Sequence, residues 1–288
     1  MSTPWILGGW AMKITTAFTI LLLLLSAAMS NAAQPKQETL QAWEDHIRDV
    51  KASMENRAKG NCPFLWIDES PEMMQRVKSG EVVVTSHDPG KVPQGMIHHW
   101  VGAMFIPNVT FEQAMKVLSN YDRYNDFYKP LITKSVVVER EGDNAKVSVL
   151  AVQKVFSVTA AVETDNQVQV VRLNSEKAYI MSDALRVQEI ADYGQPGEHP
   201  FPEDRRPGYV WRSFVLQRVE QRDGGVYIEV ETIALSRGIP LEFRWLIKPV
   251  TDQLPRKLML ETLSDTRTAV QHEAQSYPSS GQQLSESR

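Results

Sequence analysis

The sequence contains a single cysteine, Cys62, among its 288 residues. One cysteine excludes an intramolecular disulfide, Cys-x-x-Cys redox chemistry, cysteine-rich zinc sites and covalent haem attachment. Signatures of phosphate binding and of serine hydrolysis are also absent, because the sequence has neither a Gly-x-x-x-x-Gly-Lys loop nor a Gly-x-Ser-x-Gly turn. We therefore identify no cofactor site and no catalytic residue in the sequence.

A metal site is not expected either. His98 and His99 are adjacent on a predicted strand, so their side chains point to opposite faces and cannot bind one ion together. No third ligand lies nearby at a metal-binding spacing. We predict one packed histidine, one exposed histidine and no metal ligand.

The sequence has slightly fewer positive than negative residues, with 31 Lys and Arg against 35 Asp and Glu, so its formal net charge is −4. A mildly acidic protein gains no general electrostatic attraction to nucleic acids or to anionic membranes. We therefore expect no nucleic-acid partner.

Residues 1–33 have the composition of a signal peptide. Lys13 is their only charged residue, residues 14–29 are almost wholly apolar, and Ser30-Asn31-Ala32 supplies small residues for cleavage. A run of about 16 residues is short for a transmembrane helix. This predicts a periplasmic or secreted protein with no integral membrane domain after cleavage, whose net charge changes from −4 to −5 with the loss of Lys13. An uncleaved leader would leave the protein membrane-anchored.

Residues 34–94 are predicted to form a helical extension that ends in a short strand. Ser70 and Pro71 suit the N-cap and the first position of a short helix. Before it, residues 38–59 carry an apolar stripe at helical spacing, formed by Leu40, Trp43, Ile47, Val50 and Met54. The stripe favours a helix docked on the main domain. A helix for a partner or a membrane surface is the alternative, although its polar face mixes charges of both signs.

Residues 95–271 read as one domain of antiparallel strands followed by a long helix. Turn signals at residues 141–144 and 222–225 separate the β-rich stretches. A helical pattern then runs from Ile239 to about Val270, with kinks expected at Pro249 and Pro255. The polar residues 272–288 are predicted to be a disordered tail.

This order of elements resembles the START-like, helix-grip superfamily. The resemblance rests on a strand over residues 95–106, a short helix from Thr110, the aromatic segment 121–128 (Tyr-Asp-Arg-Tyr-Asn-Asp-Phe-Tyr), a meander and a final helix. It implies an α+β fold in which a curved antiparallel sheet wraps around a long, kinked C-terminal helix. The superfamily includes lipid-transfer domains, polyketide cyclases and ubiquinone-binding domains, so the resemblance implies a hydrophobic cavity and leaves carrier and enzyme open.

The turn at Asp223-Gly224 sets the register of one hairpin, in which Arg222 pairs with Gly225. One face of the hairpin is apolar and small, with the pairs Val219–Ile228, Gln217–Val230, Val215–Thr232 and Ser213–Ala234. The other face carries the charges, with the pairs Glu220–Tyr227, Arg218–Glu229, Leu216–Glu231 and Phe214–Ile233. Because an unpaired buried charge costs several kcal/mol, we expect the first face to be concave and the charged face to point outward. The extension helix is the expected cover for Phe214, Ile233 and Leu235 on that outer face.

The predicted site is a cavity between the apolar face and the final helix. Its candidate ligand-binding residues are Trp100, Trp211, Ser213, Val215, Val230, Thr232, Trp245, Met259 and Leu263. The predicted function is that of an exported carrier or binding protein for a lipid-like or other hydrophobic small molecule, without catalysis. A cyclase, aromatase or hydrolase using the same cavity and an interaction domain with a filled core are the alternatives. The identity of the ligand and the oligomeric state stay open.

Overall fold

The computed structural model describes residues 34–89, 92–155, 158–238 and 244–276. The predicted signal peptide, residues 1–33, and the end of the predicted tail, residues 277–288, lie outside these ranges, as do the side chains of residues 244–252. No helix within the described ranges is both long enough and apolar enough to span a bilayer.

The N-terminal extension is mainly helical. It contains α1 (Gln37–Ala58), a 3-10 turn (Trp66–Glu69), α2 (Pro71–Lys78) and the first strand, β1 (Val83–His87). The ends of α1 lie within one residue of their predicted positions. Ser70 caps α2 as predicted, because its hydroxyl accepts a 3.3 Å hydrogen bond from the backbone N–H of Met73.

The strands form one nine-stranded antiparallel sheet in the described part of the chain. After β1 come β2 (Gly95–Pro107), β3 (Ile132–Glu141), β4 (Asn144–Val155), β5 (Val158–Arg172), β6 (Lys177–Ala191), β7 (His199–Pro200), β8 (Arg212–Arg222) and β9 (Gly225–Arg237). The order across the sheet is β1-β2-β9-β8-β6-β5-β4-β3, with β7 beside β6. The first strand of the main domain, β2, therefore pairs with its last strand, β9, close to the β1 edge of the sheet.

The hairpin of β8 and β9 has the predicted register. Arg222 pairs with Gly225, and all eight further predicted pairs are present. Asp223 and Gly224 have φ angles of 55° and 78°, as a two-residue turn between such strands requires.

Three further helices complete the fold: α3 (Phe111–Leu118), α4 (Tyr124–Phe127) and α5 (Arg244–Ser276). Thr110 and Gln113 form the predicted capping box at the start of α3. Helix α5 contains both Pro249 and Pro255, and the kinks expected there stay a prediction. Because α5 continues to Ser276, residues 272–276 are helical, which corrects the prediction of disorder for that part of the tail.

The sheet separates two hydrophobic cores. On its concave side α3 and α5 pack on the strands, with Met104, Met115, Ile228 and Leu263 among the buried residues. On its convex side α1 packs on Phe214, Ile233 and Leu235 through Trp43, Ile47, Val50 and Met54, as the apolar stripe predicts. A curved antiparallel sheet with a long C-terminal helix in its concave face confirms the predicted α+β helix-grip fold.

Candidate functional site

The concave face consists of rows of paired residues that cross β2, β9, β8 and β6. A row near α3 contains Met104, Ile228, Val219 and Ala178. Each of these residues has 0% of its surface exposed. This end of the concave face is therefore filled core.

Burial decreases from this row toward the other end of the strands. The second row holds Gly102, Val230, Gln217 and Ile180, the third holds Trp100, Thr232, Val215 and Ser182, and the fourth holds His98, Ala234 and Ser213. On these four strands Val230 and Ile180 are still buried, whereas every residue of the third and fourth rows is partly exposed. On β5 the third row continues to Val168, which is buried. We refer to the partly exposed residues Trp100, Ser182, Ser213, Val215, Gln217 and Thr232 as the trough.

Helix α5 closes the filled end of the concave face. At Gly102, an added Cβ atom would lie 2.6 Å from Leu263 Cδ1 and 2.8 Å from Met259 Cγ. Because real Cβ atoms do not approach other atoms so closely, the helix and β2 are in direct contact here. This contact leaves no space for a ligand, and the trough begins beyond it.

The trough is uncharged. His98 is the one residue of the four rows with a titratable side chain. Its Nε2 atom lies 2.8 Å from Ser236 Oγ. Burial lowers the pKa of His98, so its ring is neutral at pH 7. The amide oxygen of Gln217 is buried and has no hydrogen-bond partner among the described residues. Such a surface suits a neutral molecule that is mostly apolar.

The structure brings several of the predicted ligand-binding residues together. Trp100, Ser213, Val215 and Thr232 are neighbours in the trough. Val230, Met259 and Leu263 belong to the buried core beneath it. The side chain of Trp245 lies outside the described residues.

Trp211 lies elsewhere, which corrects its predicted position on the concave face. Its side chain belongs to the convex-side core, with Phe214 and Leu235. The alternation of faces along a strand does not extend to it, because β8 begins only at Arg212. Among the tryptophans whose side chains are described, Trp100 is therefore the one in the trough.

Gln217 and Ser182 were not among the predicted site residues. The hairpin register does place Gln217 on the concave face, and its polarity between Val215 and Val219 was a usable signal. Ser182 enters the site because β6 pairs with β8 across the long excursion at residues 192–207. No local pattern in the sequence predicts that pairing.

The convex face carries a buried cluster of charges, which corrects the expectation that this face points outward to solvent. Arg218 bridges Glu231 and Glu229, with 3.0 Å between its Nη1 atom and Glu229 Oε2. Glu229 also accepts 2.9 Å hydrogen bonds from the backbone N–H groups of Trp66 and Ile67. The N-terminal extension thus covers these charges and supplies hydrogen bonds to them.

Histidines continue this cluster toward α1. His99 Nε2 lies 2.8 Å from Glu231 Oε1, and His46 Nε2 lies 3.0 Å from His99 Nδ1. The ring of His87 stacks on that of His99, with 5.0 Å between the ring centroids. His98 and His99 do point to opposite faces, and His99 is buried as predicted for one of them. His98 is only partly exposed, which corrects the prediction of one exposed histidine.

The pKa values of the two buried carboxylates, Glu229 and Glu231, shift in opposite directions. Burial raises the pKa of Glu229, although Arg218 and the backbone N–H groups oppose this. Burial acts on Glu231 in the same direction, but the hydrogen bond from His99 and the charge of Arg218 outweigh it and lower the pKa of Glu231 to about 2. Glu231 therefore stays ionised and anchors both Arg218 and His99.

This cluster borders a cleft of about 270 Å³ between α1 and the sheet. Within the ranges that the structure describes, no three His, Cys, Asp or Glu side chains are arranged to hold a metal ion. The hydrogen-bond chain runs from the sheet to His46 on α1, so its evident effect is to attach the N-terminal extension to the sheet.

No family model and no curated protein matches this sequence. Among solved structures, human StAR-related lipid transfer protein 5 is similar over 77% of this chain and 98% of its own, with 12% identity and a TM-score of 0.45. The Zhui aromatase/cyclase from Streptomyces sp. R1128 is similar over 62% of this chain and 96% of its own, with 10% identity and a TM-score of 0.44. A STAR-related lipid transfer protein from Xanthomonas axonopodis is similar over 65% and 98%, with 12% identity and a TM-score of 0.42.

At these identities and scores the similarities assign no ligand and no activity to this chain. The strand order and the position of α5 in the concave face give the chain a START-like helix-grip fold.

Proposed function

We propose that the trough binds a hydrophobic small molecule, and that the protein is an exported carrier for it and not an enzyme. The observation that carries this proposal is the change in burial along the concave face. The row at Met104 is fully buried, while the rows at Trp100 and His98 are only partly buried although they lie on the same face. The uncharged, partly apolar stretch of the concave face that packing leaves incompletely covered is available to a ligand.

The composition of the trough supports an apolar ligand. Trp100 and Val215 provide apolar surface, and both also contact the concave-side core. Transfer of apolar surface from water contributes about 25 cal/mol per Å², so an elongated ligand can reach micromolar affinity without an ion pair. Ligand pockets of this kind are mostly apolar with a few polar groups, as here.

Binding without catalysis is favoured over a cyclase, aromatase or hydrolase because the trough lacks converging acid and base groups. His98 is bonded to Ser236 and has no carboxylate beside it in these rows. The filled-core alternative describes the end of the concave face near α3, but it does not account for the partly exposed rows.

Export is proposed from the composition of residues 1–33. N-terminal sequencing of the mature protein should begin near Ala33 or Gln34. Recovery of the intact leader on membrane-embedded protein would instead identify an anchor.

A trough-filling substitution tests the binding proposal. Val215→Trp should lower the affinity for a neutral hydrophobic dye such as Nile red at least tenfold, because the larger ring occupies the trough. Val138→Trp is the matched control, since Val138 is 68% exposed on β3, and it should bind the dye like the natural protein. If delipidated, folded natural protein binds neither this dye nor long-chain lipids, the filled-core alternative is correct.

A further inference from the structure

Gln217 is the polar residue in the middle of the concave face. It pairs with Val230 on β9 and with Ile180 on β6, and both of these neighbours are buried and apolar. Its own side chain is only partly buried, so it borders the open part of the face. Gln217 therefore lies at the boundary between the filled core and the trough.

The amide oxygen of Gln217 lacks a hydrogen bond. This oxygen is buried, and none of the described residues donates to it. A buried acceptor without a donor is destabilising, and such groups in native proteins usually have a ligand or a water as partner. The position of Gln217 at the inner end of the trough makes a bound molecule the natural partner.

The other side-chain polar groups of the trough are three hydroxyls and the indole N–H of Trp100. Ser182, Thr232 and Ser213 lie in the two rows beyond Gln217. The rows contain no lysine, arginine or ionised carboxylate that could pair with a charged head group. A charged group placed in this part of the trough would lose its hydration without gaining a counter-ion from the residues of these rows.

We infer that the ligand is an uncharged amphiphile whose inner end carries a hydroxyl group bonded to Gln217. This inference rests on the proposed function and specifies the ligand class. A hydroxyl both donates and accepts, so it satisfies the amide oxygen and can equally accept from the amide nitrogen. A carboxylate can only accept, and it would meet the amide oxygen with a repulsive contact.

Three probes of equal chain length separate the effects of the hydroxyl group, the apolar chain and a negative charge on affinity: hexadecan-1-ol, hexadecane and hexadecanoate. Each probe is delivered from cyclodextrin, and its binding is measured by displacement of Nile red. The natural protein should bind the alcohol about tenfold more tightly than the alkane, which is the usual effect of one satisfied buried hydrogen bond. It should also bind the alcohol more tightly than the carboxylate.

Gln217→Met keeps the length of the side chain and removes its amide. In this variant we expect the alcohol and the alkane to bind with about equal affinity. The affinity for the alkane should be the same as in the natural protein. The melting temperature should not fall, because the substitution removes an unpaired buried oxygen. Gln169→Met is the matched control, since Gln169 is exposed on β5, and it should keep the full preference.

The outcomes distinguish the two proposals. If all three probes bind with equal affinity, or if Gln217→Met keeps the preference for the alcohol, the trough binds hydrophobic molecules but the role of Gln217 is refuted. Tightest binding of the carboxylate would refute the uncharged ligand class. If none of the probes binds to folded, delipidated protein, the proposed function fails and this inference fails with it.

Discussion

Arg218 forms ion pairs with two buried carboxylates, those of Glu229 and Glu231, and its own side chain is only 5% exposed. Removing one partner from a buried ion pair leaves an uncompensated charge, which is more destabilising than the loss of the contact itself. Arg218→Met should therefore lower the free energy of unfolding by about 3–5 kcal/mol. Urea denaturation of the natural protein and the variant measures this difference.

Arg186 provides a matched control on the same sheet. It also bonds two acidic residues, Asp165 and Glu163, but its side chain is 43% exposed. Solvent screens such pairs, so Arg186→Met should cost at most about 1 kcal/mol. Equal effects of the two substitutions would show that burial does not strengthen the Arg218 cluster.

On the sheet, the face to which a single side chain points was predictable only where the strand register applies. The hairpin turn at Asp223-Gly224 correctly places Val215, Thr232 and Ser213 on one face. Trp211 lies one residue before β8, where alternation no longer applies, and its position was mispredicted. The burial of Glu229 was not predictable from the hairpin, because its covering groups come from the distant residues Trp66 and Ile67.

Helix α1 is attached to the sheet by two kinds of contact. Its apolar stripe packs on Phe214 and Ile233, and His46 forms the 3.0 Å contact with His99. A bond between two imidazole rings requires one ring to donate and the other to accept, so it is lost when both rings are protonated. The attachment of α1 should therefore depend on pH.

The direction of this dependence follows from the pKa values. Burial and the nearby His99 lower the pKa of His46 and of the more exposed His87 below their usual 6.5. The unfolded chain then binds more protons than the folded one between the lowered pKa values and about 6.5. Stability is complete above this window and is lost as the pH falls through it. The charged and titratable groups that face the two rings are His99, Glu231, Asp49, Glu69 and Arg218.

We predict that the melting temperature falls between pH 7.5 and pH 5, and that the variant carrying His46→Gln and His87→Gln shows a smaller fall. Glu231 stays ionised throughout this range because its pKa is about 2. Limited proteolysis should show faster cleavage of the N-terminal extension at the lower pH. The same pH profile in the natural protein and the double variant would contradict the role of these histidines.

The stripe of α1 predicted both the helix and the face that it buries, because apolar spacing is a local property. The histidine contacts were not predictable in this way. His46, His87 and His99 come from α1, β1 and β2, and only the assembled sheet brings them together.

In the part of the protein that the structure describes, one sheet has a different cover on each face. The convex face is closed by the N-terminal extension, while the concave face is closed by α5 at one end and is partly exposed at the other. The order of strands and helices along the chain was predictable, because turn signals, helix caps and the final helical pattern each depend on residues close together in the sequence. How completely the concave face is filled was not predictable, because the volume of a cavity depends on side chains from many elements at once.

The proposed function requires that the concave face holds a hydrophobic small molecule. Native mass spectrometry of the protein purified from its own host measures this directly. The natural protein should carry an added mass that organic extraction removes, and Val215→Trp, purified in the same way, should carry none while Val138→Trp still does. Detection of the unliganded mass alone, in all three folded proteins, would contradict the claim.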